Sequence, residues 1–202
     1  MSRTEQSVEN QEQRTLAQSI HVGALCRVEE FDSAKMTVKV QPLSKALDGG
    51  VYRSPPPILN VPVAIIRGGG LILRPWYKSG DLGVLLFCDH DIDRIMEAGA
   101  EVQPNTERNH AEEDAVFVGA FTPASNPVTG LPSEAIVMAA EGGAVYVAVS
   151  KDKITFKGPI EIIGDITHTG KSTVSDDVVA SGKSLKSHTH TDSMGGTTSS
   201  PK

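Results

Sequence analysis

The stretch from residue 134 to residue 202 constrains this chain most, because it offers many short apolar faces and nothing to cover them. Val145, Val147 and Val149 alternate with their neighbours, as do Ile154 and Phe156, then Ile160 and Ile162. Such alternation puts each set on one side of an extended strand. The spacing predicts strands over 135–139, 144–150, 154–157, 160–163, 166–169, 173–175 and 178–180, broken mostly at glycines. The stretch holds one Leu and two aromatics, Tyr146 and Phe156, whereas Leu occurs eleven times before residue 134. It therefore has no helix and no second sheet of large residues to seal those faces. A lone meander of this kind is marginal in water. Its face must be buried by another copy or by another chain. Three identical chains wound together would turn three thin faces into one central core and leave no long exposed edge. Fifteen of residues 165–202 are Ser or Thr, and such small side chains suit a slender fibre. The alternative is a disordered Ser/Thr-rich tail.

Before the linker the pattern is different. Apolar, β-prone runs at 22–31 and 36–42 flank Asp32-Ser33-Ala34-Lys35, which reads as a hairpin connection. Residues 43–60, with Asp48-Gly49-Gly50 and Pro55-Pro56-Pro57, read as a loop with stiff extended parts. Strands follow at 61–66, 71–73, 82–88 and 115–121. A short helix is expected within 89–99, between Asp at its start and Gly at its end. Five or six strands with one short helix fit a five-stranded barrel of the oligonucleotide/oligosaccharide-binding (OB) type. The expected fold class is all-β: an N-terminal OB-fold barrel followed by a C-terminal intertwined trimeric β-helix with a metal-bound apex. The expected divisions are a flexible arm (1–21), the barrel (22–123), a linker (124–133), the triple-stranded β-helix (134–187) and the apex (188–202).

Charge and composition exclude several classes. A formal net charge of −6 argues against nucleic acid as a partner. No apolar run approaches the ~20 residues of a membrane-spanning helix, and the polar first residues read as lacking a signal peptide. Cys26 and Cys88 cannot build a disulfide scaffold and are expected buried in strands, in a chain made in a reducing cytoplasm.

The candidate metal ligands are His188 and His190, in Ser187-His188-Thr189-His190. In an extended strand, residues i and i+2 point the same way, so both imidazoles reach one ion. On a three-fold axis three chains would supply six imidazole nitrogens. Six neutral nitrogens suit an octahedral Fe²⁺, Co²⁺ or Ni²⁺ better than Zn²⁺. The role would be structural, since a filled octahedron leaves no place for substrate. His168 shares parity with Ile166 and is expected to face the fibre interior. His21, His90 and His110 read as surface or loop histidines.

Other motifs fail. Asp89-His90-Asp91-Ile92-Asp93 starts like an EF-hand loop but has Arg94 and Ala100 where Gly and Glu are needed. Gly164 to Ser172 resembles a phosphate loop with one residue too many and no helix behind it. Glu112, Glu113 and Asp114 read as a solvated charge run. No catalytic constellation is present, and the chain is not expected to be an enzyme.

Several stretches resemble the central-spike, baseplate assembly protein V-like family of contractile phage tails. They are Val38-Lys39-Val40-Gln41-Pro42, residues 56–63 continuing to Arg67-Gly68-Gly69-Gly70, residues 80–87 with Asp91-Ile92-Asp93, residues 114–119, and 187–190 followed by Gly195-Gly196 and Pro201. The resemblance implies a homotrimer whose barrels sit on the baseplate hub and tail tube. It also implies a needle that pierces the host outer membrane when the sheath contracts. It implies one iron ion per trimer, held octahedrally by His188 and His190 of all three chains. The implied location is the virion tail baseplate, after assembly in the host cytoplasm. The rival reading is an OB-fold glycan-binding adhesion module, with Trp76 and Tyr77 as its aromatic candidates. A metal-dependent enzyme using His188, His190 and Asp192 is the third.

Overall fold

The computed structural model describes residues 21–200. The expected arm at 1–21 and Pro201 thus lie, except for His21, outside the described residues. The described chain is all-β apart from one short helix and two 3-10 turns. It divides into two units, one holding residues 21–134 with 139–143, the other 135–138 with 144–200.

The first unit is built on a five-stranded sheet. Its strands are β1 (Gly23–Asp32), β2 (Thr37–Pro42), β5 (Ile58–Pro62), β8 (Leu82–Phe87) and β9 (Ala115–Ala120), in the order β5-β2-β1-β8-β9. All four pairings are antiparallel. Alternation selects the inner face: Cys26 and Val28 on β1, Val38 and Val40 on β2, Leu85 and Phe87 on β8, Ala115 and Phe117 on β9. Each of three ladders skips a residue, at Val28/Glu30, at Val38/Val40 and at Val84/Leu85. An extra residue bends the strand that carries it and increases its twist. Three such kinks curl the sheet into an open half-barrel with OB-like strand order. Its edges meet at one parallel bridge, Val63 with Phe117, where the Ala64 N–H donates to the Phe117 carbonyl at 2.8 Å. Phe117 fills the centre. Gly83 on the neighbouring strand leaves it room, since a Cβ there would overlap Phe117 Cε2 and Cζ. The Cys26 thiol donates to the Gly83 carbonyl at 3.4 Å, and burial pushes its pKa up to about 11. Cys88 lies just past β8 and is only half-buried.

Two ribbons interrupt the expected pattern. β3 (Ala46–Asp48) pairs with β4 (Val51–Arg53) around Gly49-Gly50, where a loop was expected. β6 (Ile66–Gly68) pairs with β7 (Leu71–Leu73). The strand expected at 61–66 is divided: β5 begins earlier, at Ile58, and Ile66 belongs to β6. The irregularity around Asn60, which has φ +56°, explains why alternation is lost there.

The second unit opens with a three-stranded sheet, β10 (Ile136–Ala139), β11 (Tyr146–Val149) and β12 (Ile154–Lys157), in the order β10-β11-β12. Ala148 is the one buried apolar residue described in this unit. The strands expected at 160–163, 166–169 and 173–175 do not form as ladders. Among the described residues, 159–175 hold no strand, helix or backbone–backbone hydrogen bond. A ladder needs a neighbouring backbone, and the described residues bring none alongside. Gly158, Gly164 and Gly170, six residues apart, share φ between +108° and +125°, a conformation open mainly to glycine. Between them Ile160, Ile162, Ile163 and Ile166 are exposed. No turn of a β-helix is present in the described single chain. Beyond lie β13 (Val179–Ala180) and β14 (Lys183–Ser184), a two-stranded ribbon.

Candidate functional site

Polar chemistry concentrates where the chain passes from β8 to β9. Asp91 follows β8, and helix α1 (Asp93–Ala98) begins two residues on. The helix ends where the Gly99 N–H donates to the Ile95 carbonyl at 2.8 Å. A 3-10 turn, Glu112–Asp114, then delivers the chain to β9. Asp91 and Asp114 are 1% and 0% exposed. Buried carboxylates need partners, or they lose their charge.

Arg108, from the polar loop between, supplies the shared one. Its Nε donates to Asp114 Oδ2 at 2.6 Å and its Nη2 to Asp114 Oδ1 at 2.9 Å. The same Nη2 donates to Asp93 Oδ2 at 2.9 Å and lies 3.4 Å from Asp91 Oδ1. Backbone and hydroxyl donors complete the set: Ile92 N–H to Asp114 Oδ1 at 3.0 Å, Asp93 N–H to Asp91 Oδ1 at 2.9 Å, Thr106 O–H to Asp91 Oδ2 at 2.7 Å. The Thr106 hydroxyl holds the Asp91 carboxyl below its usual range, although burial opposes it. The Asp93 N–H and Arg108 add to the lowering. Hydrogen bonds donated to Asp114 and then to Asp93 make the Arg108 guanidinium still harder to deprotonate.

Asp91, Asp93 and Asp114 each offer an oxygen within 4.8 Å of the others, a group able to hold a metal ion. Hard oxygen donors of this kind suit Mg²⁺, Ca²⁺ or Mn²⁺. This finding overturns the expected iron with six histidines from three chains: the metal-competent group among the described residues is three aspartates of one chain. The Arg108 guanidinium already supplies these carboxylates with a cation. The cluster therefore acts as a staple closing the β8–β9 connection. It also corrects the reading of residues 112–114 as a solvated run, because Asp114 is buried.

The histidines are placed as follows. His188 is half-buried, with Nδ1 3.0 Å from the Ser184 carbonyl and 3.1 Å from the Leu185 carbonyl. His190 is exposed, and the two rings meet edge to face with centroids 5.0 Å apart. The tail folds back beside them: the Thr198 N–H donates to the His190 carbonyl at 2.9 Å, and Asp192 Oδ1 accepts from the Met194 and Gly196 N–H groups. His168 is exposed in the single chain. His90 shares a 2.9 Å bond with Asn109, and His110 Nδ1 lies 3.7 Å from Asp89. No helix follows Gly164–Ser172 to make it a phosphate loop.

Among the described residues, no helix is long and apolar enough to cross a membrane. Residues 25–119 match the family model described as the phage protein Gp138 N-terminal domain. That span runs through the half-barrel and the Arg108 staple. No curated protein compared with the chain matches it.

Proposed function

We propose, from the presence of a phage protein domain over residues 25–119, that this chain is a structural virion protein: the trimeric central spike of a contractile tail, driven through the host outer membrane at infection. The half-barrel is the part that sits on the baseplate hub and tail tube. The second unit is the needle, formed when three chains wind together. The work is mechanical and needs no catalysis. Assembly takes place in the host cytoplasm, and the finished protein resides in the tail baseplate.

One observation carries this reading. Among the described residues, 159–175 have no backbone partner, and Ile160, Ile162, Ile163 and Ile166 stand exposed, three of the four at even positions. Extended backbone with a greasy side is a half-made interface. Two further copies would supply both the missing hydrogen bonds and the cover. Each isoleucine fully buried contributes about 1.5–3 kcal/mol, before ordering costs. Sedimentation equilibrium of the full chain at micromolar concentration tests the reading. A mass of three chains is expected, and a well-behaved monomer overturns it.

A further inference from the structure

We propose that the first unit carries a saccharide-binding cavity beside Trp76, with a short neutral oligosaccharide as its ligand. This goes beyond the spike reading and does not depend on it. The cavity holds about 570 Å³, a volume ordinary for small-ligand sites. Trp76 lines it and is 72% exposed, although large aromatics are normally covered.

The loop presenting that indole is rigid. Tyr77, its neighbour, is wedged edge-on against Phe117 (4.9 Å between centroids) and Phe31 (5.7 Å). Asp81 Oδ2 accepts from the Lys78 N–H at 2.9 Å, the Gly80 N–H donates to the Val28 carbonyl at 2.9 Å, and the Val28 N–H donates to the Asp81 carbonyl at 2.7 Å. The chain immediately after Trp76 is thus pinned to the core. The opposite wall is braced too. Gly130 packs so closely on Gly142 that a Cβ would sit 2.9 Å from the Gly142 carbonyl oxygen.

The polar lining selects the ligand class. Asp81, Asn126, Thr129 and Glu141 surround the aromatic with donors and acceptors of the kind that hydroxyl-rich rings use. No Lys, Arg or His is among the lining residues, and the nearby Lys78 is paired with Glu141 at 3.4 Å. Two carboxylates with no uncommitted cation repel phosphate, nucleic acid and acidic sugars. A flat apolar platform ringed by hydroxyl-compatible groups fits the weakly apolar face and polar rim of a neutral sugar.

Trp76 is the chain's single tryptophan, so indole emission reports on this cavity alone. The test titrates the full chain with delipidated O-antigen oligosaccharides built only of neutral sugars, and with oligothymidylate as the anionic comparison. A saturable emission change with the oligosaccharides is expected. Calorimetry should show affinity falling roughly tenfold in Trp76→Ala and surviving in part in Trp76→Phe. Trp76 is exposed, so neither substitution should unfold the protein. Silence with every oligosaccharide, undiminished binding by Trp76→Ala, or an equal response to oligothymidylate overturns the proposal. So does a loss of oligomeric mass in Trp76→Ala, which would make the patch a contact between copies. A monomer that binds sugar would keep this proposal and remove the spike reading.

Discussion

Arg108 grips Asp114 with two roughly parallel bonds, 2.6 Å and 2.9 Å long, and Asp114 has no contact with water. Removing the guanidinium strands a buried carboxylate at the entry to β9. Leaving Asp114 without its partner costs about 3 kcal/mol. Urea unfolding of Arg108→Ala should show that loss as a lower midpoint with an unchanged slope. Arg108→Lys should recover only part of it, since an ammonium cannot make the paired bonds. A wild-type midpoint in Arg108→Ala would remove the staple from the account.

Acid should loosen the same connection. The folded Asp91 carboxyl titrates below its usual range, while the unfolded one protonates near pH ~3.9. The stabilisation is therefore complete above about pH 4 and is lost as pH falls through the lower, folded value. Asp32 is held down in the same direction by the Lys35 and Ala34 N–H groups in the β1–β2 turn, and adds slope of the same sign. Thermal midpoints measured down the acid limb should fall in the wild type. They should fall less steeply in Asp91→Asn.

Gly83→Ala tests the packing of the half-barrel. The added methyl would enter the space of the Phe117 ring, which is wholly buried and cannot swing away. Overpacking of this kind costs about 1–3 kcal/mol. Gly83→Ala with Phe117→Leu should recover stability relative to Gly83→Ala alone, a coupling that a double-mutant cycle reads directly.

Parity should govern association of the second unit. Ile162→Asp and Ile166→Asp place charge on the even-numbered side and should convert a three-chain species to single chains. Thr167→Asp, on the odd-numbered side, should leave the mass unchanged. Sedimentation velocity separates these outcomes. Equal effects from both parities would contradict a common inward face.

Much of the first unit could be read from alternation. Cys26/Val28, Val38/Val40 and Leu85/Phe87 each mark a strand with one wet and one dry side, and these strands lie within a residue or two of their expected bounds. Reading fails where backbone irregularity breaks the period of two. The skipped residue near Asn60 hid the start of β5, and the Pro-rich surroundings masked the short β3–β4 ribbon. The Arg108 staple was illegible for another reason. Its partners lie 17, 15 and 6 residues away, and the β8–β9 pairing, which sets Phe87 opposite Ala115, brings Asp91 and Asp93 to Asp114. The available hint was a lone Arg in an otherwise acidic loop, with an Asp immediately before an apolar strand. In the second unit the absence of an interior was legible, because Ile and Val alternate there with nothing large enough to cover them. Hydrogen-bond partners for residues 159–175 were not, because no local pattern specifies which backbone lies alongside.

The even spacing of Gly158, Gly164 and Gly170 makes the tail modular. Six is an even number, so inserting or deleting one such unit returns every side chain to the side it left and every glycine to its bend. A change of any other size shifts the bends, and an odd one also reverses the side to which each following side chain points. Length here is quantised: this segment can be extended or trimmed in whole steps without redesigning what comes before or after it.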